Sequence, residues 1–247
     1  MDLIVIPTYQ EARTVSGLLA RIQGLPELDT FRVLVVDDAS PDETAAVVRA
    51  VPAYGDRVLL LERGGKDGLG AAYRAGFAWA ERHGYDVVVQ MDADGSHPPE
   101  SVGSLVAALR DADVAIGSRY VPGGRTVNWP WHRQLISRVG NAYVRLLLGL
   151  SVLDCTAGFR AYRPGVLAAI AADGTDASGY SFQVETTWRA SRSGLRLVEV
   201  PITFVERQEG TSKMTPAIAV EALWRVFTWR FVSPPTGLVP RGERVQA

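Results

Sequence analysis

The sequence contains one cysteine, three histidines and no long apolar run, and each of these shortages excludes a class of protein. A single cysteine, Cys155, cannot form an internal disulfide or a cysteine-rich metal site, which is typical of a reducing compartment. The histidines His83, His97 and His132 lie far apart and fit no zinc-binding spacing. The most apolar stretch, residues 146–153, is much shorter than the roughly 18 residues of a membrane span. Because the first residues also lack a signal-peptide pattern, we expect a cytoplasmic protein without a transmembrane segment.

The chain also lacks an excess of charge of either sign. Its 26 lysines and arginines nearly balance its 27 aspartates and glutamates, so the formal net charge is −1. This balance argues against a nucleic-acid-binding surface of the usual strongly basic kind. Apolar residues make up 47% of the 247 residues, which excludes intrinsic disorder. The length favours one large domain, which we assign to residues 1–235, followed by a disordered tail at 236–247.

Strand and helix patterns alternate through the first half of the sequence. Short apolar runs typical of strands buried on both faces occur at 3–6, 31–36, 58–61, 87–91 and 114–117. Helical patterns follow the first four of these runs, at 11–23, 41–51, 71–83 and 98–110. We expect Ser40 to cap the second helix. Repeated units of this kind need crossover connections, so the pattern predicts an α/β fold with a mostly parallel central sheet.

The regular alternation of strand and helix patterns ends after Arg119. Residues 120–131 are rich in glycine, proline and tryptophan, which predicts a loop. The patterns beyond it predict a helix at 132–150, a short strand at 158–162, a helix at 181–193, a strand at 196–204 and a final helix at 216–232. Because no internal repeat or separating linker interrupts the sequence, we expect all of these elements to belong to one domain.

Polar, charged and glycine residues collect at the positions that directly follow each strand of the first half. These positions are residues 7–11, 37–40, 64–70, 92–94 and 118–120. In a parallel α/β sheet, ligands bind outside the carboxyl ends of the strands. The sequence therefore predicts a ligand site along this edge of the sheet.

The pair Asp92 and Asp94 has two interpretations. Two carboxylates that leave a buried strand two residues apart can reach one Mg²⁺ or Mn²⁺ ion, which takes its other ligands from substrate phosphates and water. Alternatively, Asp94 and Ser96 cap the helix that begins near Pro98. The position after the fourth strand, beside the other polar strand ends, favours the metal interpretation.

Asp37 and Asp38 follow the second strand in the same way. One of these carboxylates can hold the ribose or base of a nucleotide, and the other can cap the next helix. The glycine-rich segment 64–70 lacks the spacing of a P-loop. Tyr73 stands where a dinucleotide-binding fingerprint needs a small residue, which disfavours a nicotinamide-dependent enzyme.

An ordered set of short motifs resembles the family 2 glycosyltransferases, and within them the polyprenyl-phosphate (dolichyl-phosphate) mannosyltransferases. The motifs are Pro-Thr-Tyr-Gln-Glu (7–11), Val-Asp-Asp-Ala-Ser (36–40), Gly-Leu-Gly-Ala-Ala-Tyr (68–73), Asp-Ala-Asp-Gly-Ser-His-Pro-Pro-Glu (92–100), Gly-Ser-Arg-Tyr (117–120), Gly-Phe-Arg-Ala-Tyr (158–162) and Glu-Arg-Gln-Glu-Gly-Thr-Ser-Lys-Met (206–214). The resemblance implies a GT-A fold, which is a Rossmann-like nucleotide-sugar-binding fold. It also implies a metal-dependent enzyme, with Mg²⁺ or Mn²⁺, that transfers mannose with inversion from GDP-mannose to polyprenyl phosphate.

The resemblance further implies a role for individual residues. Those implied to bind the nucleotide sugar are Pro7, Tyr9, Glu11, Asp38, Lys66, Asp92, Ala93, Gln183 and Glu185. Those implied to hold the metal are Asp92, Asp94 and Ser96, and those implied to meet the acceptor phosphate are Arg119, Arg133 and Ser137. Those implied to act in catalysis are Asp94, Arg119, Arg207 and Lys213, the last two from a basic loop over the diphosphate. The chain departs from the family pattern at Ser96, where relatives often have Gln, and at Ala157, where they often have Ser.

The chemistry of a phosphate acceptor agrees with these assignments. The second pKa of a phosphate monoester is about 6, so the acceptor is anionic near neutral pH and can attack without a general base. The site must then position this anion with cations such as Arg119, Arg133 and Lys213, and must stabilise the leaving diphosphate. A sugar hydroxyl acceptor would instead need a carboxylate or histidine base.

Two rival functions stay open at this point. Within the same class, the chain can be a glucosyl or other hexosyl transferase that uses the same acceptor and another nucleotide sugar. From another class, it can be a non-catalytic module that binds a nucleotide sugar. The metal pair beside a cationic acceptor pocket argues against the second rival, because a binding module needs no such combination.

The aromatic helices of the second half also have two interpretations. Trp129, Trp131, Trp224 and Trp229 can be core or subunit contacts, which would suit a homo-oligomer or a membrane-protein partner. They can instead lie at a membrane surface, where a lipid acceptor is reached, and the protein would then be peripheral at the cytoplasmic face. The arginines of the helix at 132–150 suit the same surface.

Overall fold

The structure, a computed structural model, describes residues 1–170, 180–206 and 216–231. Its strands are β1 (Asp2–Thr8), β2 (Phe31–Asp37), β3 (Val58–Glu62), β4 (Val87–Gln90), β5 (Val114–Ser118), β6 (Arg125–Val127), β7 (Arg160–Tyr162), β8 (Leu197–Pro201) and β9 (Thr203–Val205). Its helices are α1 (Val15–Gln23), α2 (Thr44–Arg49), α3 (Leu69–Arg82), α4 (Val102–Ala108), α5 (Trp131–Leu148), α6 (Val166–Ile170), α7 (Tyr180–Arg192) and α8 (Pro216–Trp229). No helix in these ranges is long and apolar enough to cross a membrane.

The described strands form one large sheet and a short ribbon. The sheet has the order β3-β2-β1-β4-β7-β5-β8, and its neighbours are parallel except β7, which runs antiparallel to both β4 and β5. The ribbon pairs β6 with β9 in parallel. The predicted α/β class with a mostly parallel central sheet is therefore confirmed.

The central strand β1 is buried on both faces because its side chains alternate between two apolar cores. Leu3 and Val5 belong to the core that also contains residues of α3, α7 and α8, whereas Ile4 and Ile6 belong to the core of α1 and α4. Burying one such side chain stabilises the fold by about 1.5–3 kcal/mol. Helix α3 packs so closely on β1 that a Cβ on Gly76 would lie 2.5 Å from Cγ1 of Val5. This packing brings the first turn of α3 to the carboxyl edge of the sheet.

The first two helices begin later than their sequence patterns predict. Residues 11–14 form a turn in which Oγ1 of Thr14 donates to Oε2 of Glu11 at 2.7 Å. The expected cap Ser40 is wrong, because its Oγ accepts the backbone N–H of Gln10 at 3.0 Å, rather than an N–H of the helix, and donates to the carboxylate of Asp37. Asp42 lies just before α2, and its Oδ1 accepts a hydrogen bond from the hydroxyl of Thr44, the first residue of the helix, at 2.6 Å.

The helix expected at 98–110 is divided into a short 3₁₀ turn at Pro99–Ser101 and α4. Asp94 and Ser96 cap neither part. Ser101 occupies the N-cap position of α4, and the backbone N–H of Ser96 donates to Oδ1 of Asp94 at 3.1 Å. Asp94 therefore shapes the loop after β4.

The second half contains three elements that differ from the expectations. The predicted loop at 120–131 includes the short strand β6, and helix α6 has no predicted counterpart. The strand predicted at 196–204 is divided at Ile202 into β8 and β9. The backbone of Ile202 explains the division, since its N–H donates to Ser118 O and its carbonyl accepts from Arg125 N, both at 3.0 Å.

Candidate active site

The carboxyl ends of the parallel strands border a cleft of about 350 Å³. The N-terminal end of the antiparallel β7 lies at the same edge and adds the segment 156–158. The sequence-predicted residues that line the cleft are Pro7, Tyr9, Glu11, Asp38, Lys66, Asp92, Ala93, Asp94, Ser96, Arg119, Arg133 and Gln183. Two other candidates, Ser137 and Glu185, do not line it. Arg207, Lys213 and the tail 236–247 lie outside the described residues.

Asp38 and Lys66 bring opposite charges to one end of the cleft. Oδ1 of Asp38 accepts a hydrogen bond from Nη1 of Arg63 at 2.6 Å. Burial raises the pKa of the Asp38 carboxyl, and the charge of Arg63 opposes this rise. Nζ of Lys66 lies 3.9 Å from the ring centre of Tyr9, within cation–π range. A carboxylate acceptor beside an aromatic ring and an ammonium group is suited to the hydroxyls and base of a nucleoside.

Asp37 fixes the loop that presents Asp38. Its Oδ1 accepts from Oγ1 of Thr8 at 2.8 Å and from Oγ of Ser40 at 2.6 Å. Its Oδ2 accepts the backbone N–H of Ser40 at 2.9 Å. The two aspartates therefore have different tasks, since Asp37 is a buried anchor and Asp38 lines the cleft.

Asp92 is oriented by two buried neighbours. The hydroxyl of Tyr73 donates to Oδ1 of Asp92 at 2.6 Å. Burial, followed by the charge of Asp92, raises the pKa of Tyr73 well above its ordinary value, so the phenol remains a donor. The backbone N–H of Asp92 donates to Nδ1 of His97 at 3.0 Å, which places the ring proton of a neutral histidine on Nε2. That Nε2 lies 4.0 Å from Oδ2 of Asp92.

The donor set of Asp92 and Asp94 fits a hard divalent cation. Both carboxylates line the cleft, and Gly95 between Asp94 and Ser96 has a φ of +73°, which suits glycine. In the described part of the chain, no group of three or more His, Cys, Asp or Glu residues is arranged to hold a metal. These residues therefore offer two carboxylates rather than a closed protein cage, which is the usual arrangement when a diphosphate and water complete the coordination. Ser96 also borders this region, with its side chain buried.

Arg119 follows β5 and brings a buried positive charge to the cleft. Its Nε donates to Oδ2 of Asp154 at 2.7 Å, and its Nη2 donates to Oδ1 at 2.6 Å. Nη2 also donates to Oγ1 of Thr156 at 2.9 Å. Asp154 is anchored in turn, because its backbone N–H donates to Oε1 of Glu199 at 2.9 Å. A two-pronged pair of this kind fixes the plane of the guanidinium, so its charge has one orientation at the cleft wall.

Trp129 lies against both arginines of the cleft. Its ring centre is 5.2 Å from Cζ of Arg119 and 4.7 Å from Cζ of Arg133, which are cation–π distances. Nη1 of Arg133 donates to both carboxylate oxygens of Glu206 at 2.6 Å. Phe204 of β9 packs edge-on against Trp129, with ring centres 5.3 Å apart. The ribbon of β6 and β9 therefore positions one rim of the cleft.

A buried chain of hydrogen bonds orients the side-chain amide of Gln183. The hydroxyl of Tyr162 donates to Oε1 of Gln90, and Nε2 of Gln90 donates to Oε1 of Gln183, both at 2.9 Å. Because Oε1 of Gln183 is already an acceptor in this chain, its Nε2 faces Gly158, where an added Cβ would lie 3.5 Å away. Nη2 of Arg160 holds the backbone carbonyl of Gln183 at 3.0 Å. Gln183 therefore presents a donor to the cleft.

Ser137 and Glu185 are engaged elsewhere. Oγ of Ser137 accepts the hydroxyl of Tyr120 at 2.6 Å. Glu185 pairs with Arg189 one turn along α7, with Nη2 and Oε1 2.7 Å apart. Burial raises the pKa of the Glu185 carboxyl, and Arg189 opposes this rise. In this structure Glu185 therefore contributes to the packing of α7, and its sugar-binding role stays a prediction from the resemblance.

Sequence reasoning missed several residues that line or support the cleft. The lining residues are His97, Thr156, Phe204 and Glu221, and the supporting residues are Tyr73, Gln90 and Asp154. His97 and Tyr73 belong to the quoted motifs 92–100 and 68–73, and this membership is a signal that could have found them. The other five lie outside every quoted motif, and only the three-dimensional contacts reveal them.

The family model described as Glycosyl transferase family 2 matches residues 3–170. The chain belongs to this family. The resemblance seen in the sequence is therefore confirmed, and the protein is a glycosyltransferase. The match covers the loops after β1, β2, β4 and β5, which carry most of the cleft residues.

Similar proteins agree with the subgroup expected from the sequence. The glycosyltransferase is 50% identical over 246 residues to the undecaprenyl-phosphate mannosyltransferase of Micrococcus luteus, and the match covers 99% of this chain and 97% of that protein. It is 49% identical over 230 residues to the polyprenol monophosphomannose synthase of Mycolicibacterium smegmatis, and this match covers 92% of this chain and 86% of that protein.

A solved structure shares the fold at low sequence identity. It is the glucosyl-3-phosphoglycerate synthase of Mycobacterium tuberculosis in complex with Mn²⁺, UDP and phosphoglyceric acid. The TM-score is 0.70 at 19% identity, and the match covers 95% of this chain and 80% of the other. This likeness confirms the GT-A class of fold.

Proposed function

We propose that this glycosyltransferase moves mannose from GDP-mannose to polyprenyl phosphate, with inversion at the sugar carbon and with the help of a divalent ion. One observation carries the proposal: the same cleft contains the carboxylates of Asp92 and Asp94 and the guanidinium groups of Arg119 and Arg133. The carboxylates suit a donor diphosphate with its ion, and the arginines suit an acceptor phosphate. The names of the two relatives at 49% and 50% identity support mannose as the sugar and a polyprenyl phosphate as the acceptor.

The nucleoside of the donor would occupy the end of the cleft formed by Tyr9, Asp38 and Lys66. The buried carboxylate of Asp38 accepts hydrogen bonds from the nucleoside, and the Tyr9 ring offers a flat surface next to the ammonium of Lys66. The diphosphate then lies toward Asp92 and Asp94, and the sugar toward the side-chain amide of Gln183. This order follows the cleft from the end of β2 to the start of α7.

Asp92 and Asp94 would hold Mg²⁺ or Mn²⁺ at the diphosphate. When bound, such an ion neutralises the charge that develops on the departing diphosphate. Tyr73 and His97 keep the Asp92 carboxylate and its backbone in place before any ligand arrives. Preorganised groups of this kind need no rearrangement at the moment of reaction. Mn²⁺ in the glucosyl-3-phosphoglycerate synthase complex agrees with a divalent ion in this fold.

Arg119 and Arg133 would position the acceptor phosphate. The second pKa of a phosphate monoester is about 6, so its oxygen is a ready nucleophile near neutral pH. Asp154 and Trp129 fix the direction of the Arg119 charge, and Trp129 and Glu206 do the same for Arg133. The arginines therefore supply orientation rather than proton transfer. Direct attack on an α-linked donor gives a β-linked product.

The acceptor is a lipid, and α5 and α8 provide a face that suits a membrane surface. These two helices pack together, and the hydroxyl of Tyr143 on α5 donates to the Leu223 carbonyl on α8 at 3.1 Å. Their exposed large apolar side chains are Trp131, Leu135, Ile136, Val139, Leu146, Leu223, Trp224 and Phe227. Arg133 and Glu221 of the same helices line the cleft, so this apolar face borders the acceptor end. We therefore propose peripheral attachment at the cytoplasmic face of a membrane through α5 and α8.

The test offers purified protein radiolabelled GDP-mannose or UDP-glucose in separate reactions with polyprenyl phosphate, with and without Mn²⁺. We expect label in the organic phase from GDP-mannose, its loss with a chelator and its return with added metal. Asp94→Asn is expected to abolish this label, and Arg82→Gln, at the far end of α3, serves as the matched control. Label from UDP-glucose alone would identify a glucosyl transferase. A protein that binds GDP but labels no lipid from either donor would contradict the proposal.

A further inference from the structure

A second pocket, of about 320 Å³, lies along α5, and none of its described lining residues also lines the main cleft. It is lined by Tyr120, Arg138, Asn141, Ala142, Arg145 and Leu153. Two of these residues are arginines and none is acidic. Cζ of Arg138 lies 5.6 Å from the ring centre of Tyr120, which places its guanidinium at the wall. No carboxylate in the described part of the chain forms an ion pair with either arginine.

Two buried polar atoms at this pocket have no hydrogen-bond partner among the residues that the structure describes. One is Nε of Arg145, a donor, and the other is Oδ1 of Asn141, an acceptor. The rest of the Asn141 amide is engaged, since its Nδ2 donates to Ser137 O at 2.9 Å and to Oγ1 of Thr156 at 3.2 Å. Asn141 itself is 2% exposed. Buried polar atoms are nearly always satisfied in folded proteins, so this donor and this acceptor favour a polar partner at the pocket, either water or a ligand.

The pocket opens beside the exposed apolar stripe of α5. Arg138 and Arg145 are seven residues apart, which is about two helical turns, so they share one side of the helix. The exposed side chains Leu135, Val139 and Leu146 lie on the adjacent side. If this stripe enters a bilayer surface, the two guanidinium groups lie at the level of the headgroups. Arginine binds phosphate oxygens with paired N–H donors, which lysine does not provide.

We propose that this pocket binds the phosphate of an anionic phospholipid headgroup, and that it is separate from the site of the acceptor phosphate. The guanidinium groups of Arg138 and Arg145 bind the phosphodiester oxygens. Oδ1 of Asn141 accepts a hydrogen bond from a headgroup hydroxyl, as in phosphatidylglycerol. The inference rests on the membrane attachment proposed above, but it is independent of the donor and of the sugar transferred.

The experiment compares binding of the full chain to two kinds of vesicle by co-sedimentation. One kind is pure phosphatidylcholine, and the other contains one part phosphatidylglycerol to two parts phosphatidylcholine. We expect Arg138→Gln/Arg145→Gln to bind the anionic vesicles roughly 30-fold more weakly than the wild type, since each basic residue at an anionic surface contributes about a fivefold factor. Binding to pure phosphatidylcholine should change little. The matched control is Arg82→Gln/Arg192→Gln, which removes the same charge at the far ends of α3 and α7.

A charge-conserving variant separates a built pocket from diffuse attraction. Arg138→Lys/Arg145→Lys keeps both charges but loses the paired donors, so a pocket predicts weaker binding to the anionic vesicles. Inorganic phosphate, added as a soluble competitor, should displace little of the protein from the vesicles. The acyl chains keep the lipid in the bilayer, and the apolar side chains of the protein also contact that bilayer. If the lysine variant bound the anionic vesicles as tightly as the wild type, the proposed pocket would be wrong. The same conclusion would follow if Arg82→Gln/Arg192→Gln lost as much binding as Arg138→Gln/Arg145→Gln. Binding to neither vesicle would contradict the membrane attachment as well, whereas lipid mannosylation in detergent would still test the transferase reaction.

Discussion

The hydroxyl of Tyr73 donates a hydrogen bond to Oδ1 of Asp92 at 2.6 Å, and this contact joins helix α3 to the loop after β4. Tyr73 is fully buried and stacks on Phe77 and Phe182, so its position is fixed by the core. The backbone of Asp92 is held from the other side by His97. The core of the protein therefore determines the direction of a carboxylate in the cleft.

The first prediction concerns this contact. Tyr73→Phe removes the hydroxyl but keeps the buried ring, so we expect a folded protein with a less well oriented Asp92. Loss of such a supporting hydrogen bond typically weakens metal binding about tenfold or more. Electron paramagnetic resonance of Mn²⁺ titrated in the presence of GDP measures the affinity. Tyr85→Phe, which alters a tyrosine outside the cleft lining, is the control. Equal Mn²⁺ affinity in both variants would show that Tyr73 does not position the ligand.

The second prediction concerns Gln90, which orients Gln183 without lining the cleft. Gln90→Leu removes the donor that holds Oε1 of Gln183 and keeps a buried side chain of similar size, so the Gln183 amide is no longer fixed with its Nε2 toward the cleft. One misplaced hydrogen bond typically costs about 1 kcal/mol. We therefore expect the KM for the donor sugar nucleotide to rise about fivefold while the Kd for GDP, which lacks the sugar, stays constant. Gln23→Leu at the end of α1 is the control. A parallel loss of GDP binding would place the effect outside the sugar subsite.

The third prediction concerns the buried pair of Arg119 and Asp154. Asp154→Ala leaves the Arg119 charge buried without its carboxylate, and breaking such a pair destabilises proteins by about 3–5 kcal/mol. Urea denaturation should show a lower midpoint with an unchanged slope. In Arg119→Leu/Asp154→Leu both charges are absent, and we expect much of the stability to return without transferase activity. If Asp154→Ala were as stable as the wild type, the pair would not hold the cleft wall.

The fourth prediction concerns Cys155. Burial raises the pKa of its thiol to about 12, so almost no reactive thiolate is present near pH 8. We expect no reaction of the native protein with a thiol-specific reagent such as 5,5′-dithiobis(2-nitrobenzoate) within minutes, and reaction of one thiol per chain after unfolding in guanidinium chloride. Rapid labelling of the native chain would contradict the burial of this segment, which adjoins Asp154 and Thr156.

Local sequence signals were sufficient to predict that polar residues meet at the carboxyl edge of the sheet, where the structure has its cleft. Apolar runs followed by polar residues predicted β1, β2, β4 and β5 and placed Asp38, Asp92 and Arg119 at the cleft. The position of β7 was not predictable in this way. It is inserted antiparallel between β4 and β5, and its pairings join residues about 70 and 45 positions apart, which no local pattern encodes.

Local sequence patterns also could not predict the contacts that support the site. Gln90 and Gln183 are 93 positions apart, and Arg119 and Asp154 are 35 apart. Gln90 and Asp154 lie outside every quoted motif, so the sequence gives no local signal for either of these partners. The late start of α2 has a different cause, because Oγ of Ser40 accepts the backbone N–H of Gln10, whereas a capping pattern assigns this acceptor to the first turn of the helix. Competing side-chain contacts of this kind decide helix ends only in the folded chain.

In the reaction that we propose, a lipid phosphate oxygen attacks the sugar of GDP-mannose directly in the cleft that contains Asp92, Asp94, Arg119 and Arg133. The most direct test is nuclear magnetic resonance of the purified lipid product, which reports both the linkage and the configuration of the sugar carbon. We expect a mannosyl phosphate with the β configuration from the α-linked donor. An α-configured product, or a sugar attached other than through phosphate, would contradict it.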